Sequence, residues 1–263
     1  MTDTISKFFG GEYMDTLHDY PSHTSNIRYY HRLKARIVKK FIKKTAGAEK
    51  NILDTGAGRG PYSYFATSYF KSVYCDEYSK EELSKAEQFI VQKEKIGSVI
   101  FKNNDLTNTD YPSNFFDSII CSEVLEHIPE REKALQELYR ILKPGGKILI
   151  SMPQKQSLFY LRVRKKHQHL FEKPEPAVED PEWETYQHLK FSSADIRKLI
   201  NDAGFRKTST YGANVLPLGE KVFSIIYKIP ALFIVYLYLE LTLEKIFPFW
   251  GSFYFIEATK DRE

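Results

Sequence analysis

The stretch Asn51-Ile-Leu-Asp-Thr-Gly-Ala-Gly-Arg-Gly-Pro61 limits what this chain can fold into more than any other part of it. A short apolar strand, 51–54, runs into glycines at alternate positions, and Pro61 suits the first turn of a helix, where its missing N–H and fixed φ cost nothing. Strand, glycine turn and helix open a βαβ unit, and its strands lie parallel beneath a covering helix. The absent side chains at Gly56, Gly58 and Gly60 let the backbone come close to a ligand.

The alternation continues along the chain. Residues 72–76 read as a second strand, and Ser79 with Glu82 forms a capping-box pattern ahead of a helix with Leu83, Ala86, Phe89 and Ile90 on one face. Residues 98–102 and Phe116–Ser122 read as strands, the latter with the near-continuous apolar run of a strand covered on both sides. A helix over 131–142, stopped by Pro144-Gly145-Gly146, leads to a fifth strand at 147–152. After a polar, Pro-containing stretch the pattern resumes with a helix beginning near Ser192, a strand at 205–211 and a last, antiparallel strand at 252–259.

The predicted fold is α/β, a doubly wound, mostly parallel seven-stranded sheet with the last strand antiparallel. We divide it into an N-terminal cap over 1–50, a core over 51–211 with a lid insertion at 154–188, an apolar, aromatic-rich helical insertion at 212–250, and the closing strand within 251–263. The cap carries a basic amphipathic helix over 31–44, with Leu33, Ile37, Val38, Phe41 and Ile42 at helical spacing among seven Lys/Arg and no acid.

Spacing narrows the ligand. A dinucleotide fold wants G-x-G-x-x-G, but here the third glycine comes one residue early, and no Gly-Lys-Ser/Thr follows as in a phosphate loop. Ile52-Leu-Asp-Thr-Gly-Ala-Gly-Arg-Gly60 resembles motif I of class I S-adenosylmethionine-dependent methyltransferases. Glu77-Tyr-Ser-Lys-Glu-Glu-Leu83 resembles that family's acid-x-Ser-Pro-x-x-Leu stretch, and Asn104-Asp-Leu106 its adenine position. The run from Phe115 to Ile128, then Leu142-Lys-Pro-Gly-Gly146 and Ile150-Ser-Met-Pro153, is similar to the branch that includes ubiquinone-biosynthesis methyltransferases. His188-Leu-Lys-Phe-Ser-Ser and Asp202-Ala-Gly-Phe205 extend the likeness over roughly residues 31–211.

That resemblance implies a Rossmann-like methyltransferase fold, with S-adenosylmethionine as cofactor and S-adenosylhomocysteine as product. It implies that Gly56, Ala57, Gly58 and Gly60 wrap the donor, and that the Asp54 side chain faces the methionine moiety with the backbone of Gly56 and Cys121. Asp76 or Glu77, the latter favoured, takes the ribose hydroxyls; Asp105 accepts from the adenine amino group and the Leu106 N–H meets the ring. Read from the residues alone, Asp76 and Glu77 are equally a solvated acidic turn before a helix.

Methyl transfer asks the protein mainly to align donor and acceptor, with a base where the acceptor is an oxygen or nitrogen. His127, just past the fourth strand, is the candidate base, with Glu126 beside it; its bland alternative is a histidine that packs the turn. Glu123, Tyr30 and His188 are candidate acceptor contacts. Two carboxylates and one imidazole within five residues are too few to define a metal site, and none is expected. Cys121 reads as packing rather than as a nucleophile.

Composition enters through charge, cysteine and aromatic content. Thirty-eight Lys+Arg against 34 Asp+Glu leave +4, a weak excess for a nucleic-acid binder. Two cysteines, Cys75 and Cys121, exclude a disulfide scaffold and point to a reducing, cytoplasmic setting. The first residues lack the basic and apolar regions of a secretory signal. The apolar run 222–239 is interrupted by Ser224, Lys228 and Pro230, which argues against a spanning helix.

Aromatic residues, 15% of the chain, gather in 8–30, 62–78 and 216–255. For 216–250 two readings stand: a helical pair packed on its own sheet or on a second subunit in a homodimer, and an acceptor tunnel or peripheral membrane contact aided by basic residues of 32–44 and 162–166. The expected function is methyl transfer to a small-molecule acceptor, at an oxygen nucleophile of a hydrophobic or lipid- or glycan-linked substrate. The rivals are an RNA methyltransferase and a non-catalytic S-adenosylmethionine-binding protein.

Overall fold

The computed structural model describes residues 25–93, 99–161 and 191–262. The candidate His188, the basic cluster at 162–166 and most of the expected lid lie outside them. The elements are α1 (Ser25–Thr45), β1 (Gly47–Thr55), α2 (Pro61–Ala66), β2 (Phe70–Asp76), α3 (Lys80–Gln92), β3 (Val99–Lys102) and β4 (Phe116–Ser122). After a single 3-10 turn, Leu125–His127, come α4 (Arg131–Ile141), β5 (Leu142–Pro153), α5 (Ser193–Asp202), β6 (Arg206–Ala213), α6 (Glu220–Lys228), α7 (Pro230–Ile246) and β7 (Phe253–Thr259).

The strands form one seven-stranded sheet in the order β3-β2-β1-β4-β5-β7-β6. β7 runs antiparallel to both β5 and β6, and the other neighbouring pairs are parallel. The predicted fold is thus observed, with shifted boundaries. β1 already starts at Gly47, inside the expected cap. The helix predicted to end at Leu142 stops at Ile141, because Leu142 takes extended backbone with ψ 135° and joins β5.

Packing explains the helices. On α4 the residues Ala134, Leu135, Leu138 and Ile141 are buried, the 3–4 spacing of a stripe laid on a sheet. Ser79 caps α3 by accepting from the Glu82 N–H, and Ser192 with Asp195 makes a full reciprocal capping box on α5. Both satisfy N–H groups that have no partner within the helix.

α1 departs from the expectation. Its apolar stripe is buried as predicted, but Lys34 is only 5% exposed and Arg32 is buried as well. Acids distant in sequence meet this basic face: Lys34 pairs with Glu123 at 2.6 Å, Lys44 with Glu257 at 2.7 Å, and Arg36 with Glu244. Buried cations of this kind require a carboxylate partner. Lys34 is therefore committed inside the molecule, while the partly exposed Arg36 and the exposed Lys44 neutralise the buried carboxylates of Glu244 and Glu257.

α6 and α7 form a hairpin over α1. Phe223, Phe233 and Tyr236 gather around Tyr29, with ring centroids 5.0, 5.8 and 5.6 Å from it. Glu240 keys the hairpin to the loop after β6, accepting from the N–H groups of Val215 at 2.6 Å and Leu216 at 2.8 Å. Among the described residues no single helix is long and apolar enough to cross a membrane.

Because a buried N–H left without an acceptor costs about 1–3 kcal/mol, Glu240→Leu is expected to destabilise the protein by roughly 2 kcal/mol or more. Glu240→Gln, which keeps one acceptor, is expected to cost about half of that. Urea unfolding midpoints of the two variants check the order.

Candidate active site

The strand order reverses between β1 and β4: from β1 the chain winds outward through β2 to β3, then returns to β4 on β1's other side. Ligand crevices in open α/β sheets lie beyond the carboxyl ends of the strands at such a point. A cavity of about 510 Å³ opens there, within the usual range for small-molecule sites. Its walls come from the four loops after β1 to β4: Thr55 and Gly56; Asp76 to Ser79; Asn104 to Thr107; and Glu123, Val124 and His127 to Glu130.

The glycine loop is built as its sequence requires. Gly56 has φ +60°, and a Cβ there would lie 2.4 Å from Val124 Cγ2. Only glycine allows both the turn and the contact between the loops after β1 and β4. Gly58, at φ +52°, has open space where its Cβ would stand, and its N–H donates to Glu77 Oε2 at 2.9 Å. Gly60 caps α2 against Ala86 and Ile90 of α3. The Ala57 N–H donates to the Asp76 carbonyl at 3.0 Å, joining the first loop to the end of β2.

The two acids at the end of β2 differ in position. Asp76 is buried and accepts from Tyr111 Oη at 2.5 Å and Asn104 Nδ2 at 2.9 Å. Burial pushes its carboxyl up to about 6 despite these donors. Glu77 accepts from the N–H groups of Gly58 and Ser79 and lines the cavity. Asp105 also lines it, with Oδ1 bonded to the N–H and hydroxyl of Thr107, both at 2.8 Å, which holds its pKa down. Leu106 stands next to it in the wall.

Asp54, at the end of β1, is held by a neighbour in α2. Its side chain is not among the cavity residues; it turns beneath the glycine loop, buried, and accepts from Ser63 Oγ of α2 at 2.7 Å. Burial raises its pKa to about 7. Cys121 is fully buried and its thiol is pushed well up by burial, a packing residue with no nucleophilic character.

At the other end of the cavity stand Glu123, Val124 and His127. Glu123 has φ +59°, a strained region for a side-chain-bearing residue. Both its oxygens accept from Lys34 Nζ, at 2.6 and 2.7 Å, and Lys34 Nζ also sits 4.3 Å from the Phe253 ring centroid. His127 closes the 3-10 turn as an exposed wall residue. Glu126 is turned inward. Its Oε2 is shut off from solvent with no hydrogen-bond partner among the described residues, and burial with the neighbouring Glu123 carboxylate pushes its pKa up to about 8.

Tyr30 does not join this group. Its hydroxyl donates to the Leu218 carbonyl at 3.1 Å, in the packing of α1 on the hairpin loop. Conversely, Lys34 and Tyr111 support the site and were not singled out by the sequence. No local signal links Lys34 to a partner 89 residues away, although a lysine beside Leu33 on a core-facing helix is a cue that it has one. Among the described residues no three His, Cys, Asp or Glu side chains come together as a metal site.

With this geometry in place, the comparisons are consistent. Residues 53–150 match the family described as a methyltransferase domain. An uncharacterized methyltransferase of Schizosaccharomyces pombe is 35% identical over 114 residues, 41% of this chain and 40% of that protein. A demethylmenaquinone methyltransferase of Geobacillus sp. is 28% identical over 163 residues, 57% of this chain and 68% of that protein. The chain thus spans only about two fifths of the first of these relatives. The crystal structure of the [4+2]-cyclase SpnF superposes with a TM-score of 0.60 at 17% identity, covering 87% of this chain and 82% of that one, which shows the shared fold. Over residues 53–150, then, the chain carries a methyltransferase domain.

Two outcomes follow. Glu77→Ala is expected to weaken S-adenosylmethionine binding at least about tenfold, or about 1.4 kcal/mol, read by isothermal titration. Glu126 keeps in the folded state a proton that the unfolded chain releases near pH 4.3, so it makes stability fall as pH rises from there to about 8. The melting-temperature gain of Glu126→Gln over the parent is therefore expected to grow from pH 5 to pH 8 and level off above, as followed by calorimetry across that range.

Proposed function

We propose that this protein transfers a methyl group from S-adenosylmethionine to a small-molecule acceptor, at an oxygen nucleophile of a hydrophobic or lipid- or glycan-linked substrate. The observation that carries this reading is the cavity at the switch point, with a hydrogen-bonding end at Glu77 and Asp105 and a second end at Glu123 and His127.

The cavity fits the cofactor by its chemistry. Glu77, held by two backbone N–H groups, presents a carboxylate for ribose hydroxyls, and Asp105 with Leu106 gives an acceptor and an apolar wall for adenine. Open space at Gly58 leaves the backbone approachable. When bound, S-adenosylmethionine supplies a methyl already activated by its sulfonium.

The chain's own work is placement and proton handling. His127 takes the proton of the acceptor hydroxyl as oxygen begins to bond to carbon, and later returns it to solvent. Lys34 fixes the Glu123 carboxylate at the cavity wall, where it can accept from a second hydroxyl of the acceptor. Alignment of this kind can supply several kcal/mol of the barrier, up to ~7–11. The relatives named as methyltransferases support the donor side only, and the hydrophobic acceptor rests on the apolar hairpin.

The RNA reading loses support from α1, whose Lys34, Arg36 and Lys44 are spent on internal carboxylates. The test is mass spectrometry of cell extracts incubated with the protein and methyl-labelled donor, in which a labelled lipid-soluble small molecule is expected. With that acceptor, His127→Ala is expected to lower kcat by ~10²–10⁴-fold while donor affinity stays unchanged. Labelled RNA alone would refute the reading.

A further inference from the structure

We propose that the outer face of the α6–α7 hairpin docks on an anionic lipid surface, lying in the headgroup plane with Lys221, Lys228 and Lys245 on the lipid phosphates. This deepens the lipid-linked acceptor reading above, but vesicle binding needs no turnover, so the two can fail separately.

The first observation is that α7 is inverted. A surface helix of a soluble domain turns its apolar stripe inward and its charges outward. α7 instead buries both of its acids, Glu240 against backbone N–H groups and Glu244 against Arg36. It exposes Ile234 at 61% and Tyr238 at 70%, with Val235 and Leu239 beside them. α6 continues this surface with exposed Val222 and Ile225. A contiguous apolar face of this kind marks an interaction surface.

The second observation is shape. Among the described residues only the two helices together are long and apolar enough to reach across a membrane, and the chain bends by 116° between them. α7 has 17 residues, roughly 25 Å at 1.5 Å each, short of a ~30 Å hydrocarbon core. A bent pair of this length lies along an interface rather than through it, and the outward Tyr238 and Trp250 are rings that favour the headgroup level.

Charge selects lipid over a second copy of the chain. Within residues 221–250 the only acids are Glu240 and Glu244, both buried, whereas Lys221, Lys228 and Lys245 are exposed. A symmetric dimer through this face would bring its cation-rimmed surface onto itself with no acid of that segment to meet it. Lys245 also borders a second cavity of about 200 Å³ between α1, α7 and β6, shared with Arg36, Lys40 and Lys44. Its two acids, Glu244 and Glu257, pair with Arg36 and Lys44, so the hollow beside the apolar face keeps the positive charge of Lys40 and Lys245. Anionic head groups complement that charge.

The experiment is flotation of the full chain with equimolar phosphatidylglycerol–phosphatidylcholine vesicles and with phosphatidylcholine alone, alongside sedimentation without lipid. Wild-type protein is expected to float with the anionic vesicles, at least about tenfold more than with the neutral ones, and partial release is expected in high salt. Ile234→Asp/Tyr238→Asp, at exposed positions, is expected to lose binding with an unchanged melting temperature; Lys221→Gln/Lys228→Gln/Lys245→Gln is expected to lose the preference for anionic lipid. Protein left in the supernatant with both vesicle types overturns the proposal. So does a double-Asp variant that floats like the parent, or a lipid-indifferent dimer that this variant dissociates, which would assign the face to a second copy.

Discussion

The packing of Gly56 against Val124 is the contact on which the site depends. It brings the loops after β1 and β4 together across the point where the strand order reverses, at a distance no Cβ would tolerate. With that approach fixed, the Ala57 N–H reaches the Asp76 carbonyl and the Gly58 N–H reaches Glu77, so three loops are tied at one corner of the sheet. The Glu77 N–H in turn donates to the Lys102 carbonyl at 3.1 Å and brings in the end of β3. The cavity wall is thus mostly backbone hydrogen bonding at the ends of parallel strands, which orients carboxylates better than free loops would.

α1 organises the remainder. Within eleven residues it offers Lys34 to the loop after β4, Arg36 to α7 and Lys44 to β7. Each pairing removes a buried charge that would be costly alone, and together they set how the hairpin lies over the sheet. Lys34 and Arg36 are two residues apart, so the Glu123 wall of the cavity and the apolar hairpin are held from different sides of one helical turn. The strained backbone of Glu123 persists because its carboxylate is held on both oxygens.

What could be read in advance follows from the range of the interactions. The strands, α3, α4 and α5 are written in local periodicity, caps and turn residues, and the ligand loop in glycine spacing, so these were legible. Helix and strand boundaries near Leu142 were less so, because Pro144 and the two glycines after it stop a helix but also fit the start of an edge-shifted strand, and pairing with Phe116 of β4 decides. The bond from Ser63 to the Asp54 carboxylate, nine residues earlier, carries no such local signal. The pairings of Lys34, Arg36 and Lys44 were not legible, because their partners lie 89, 208 and 213 residues away and no period in the sequence encodes such pairings.

The part that matched the methyltransferase domain ends at residue 150, while the hairpin begins at Glu220. A fold of this kind does not determine its reaction by itself; a cyclase shares it at a TM-score of 0.60. The cavity residues from Thr55 to Glu130 all fall inside the matched segment. What distinguishes this chain is a helix that turns two carboxylates inward and its aliphatic residues outward, at the cost of burying Glu240 and Glu244. Turned inward, Glu240 satisfies the Val215 and Leu216 N–H groups and Glu244 pairs with Arg36, and the aliphatic residues left outside form the face on which the lipid-docking proposal rests.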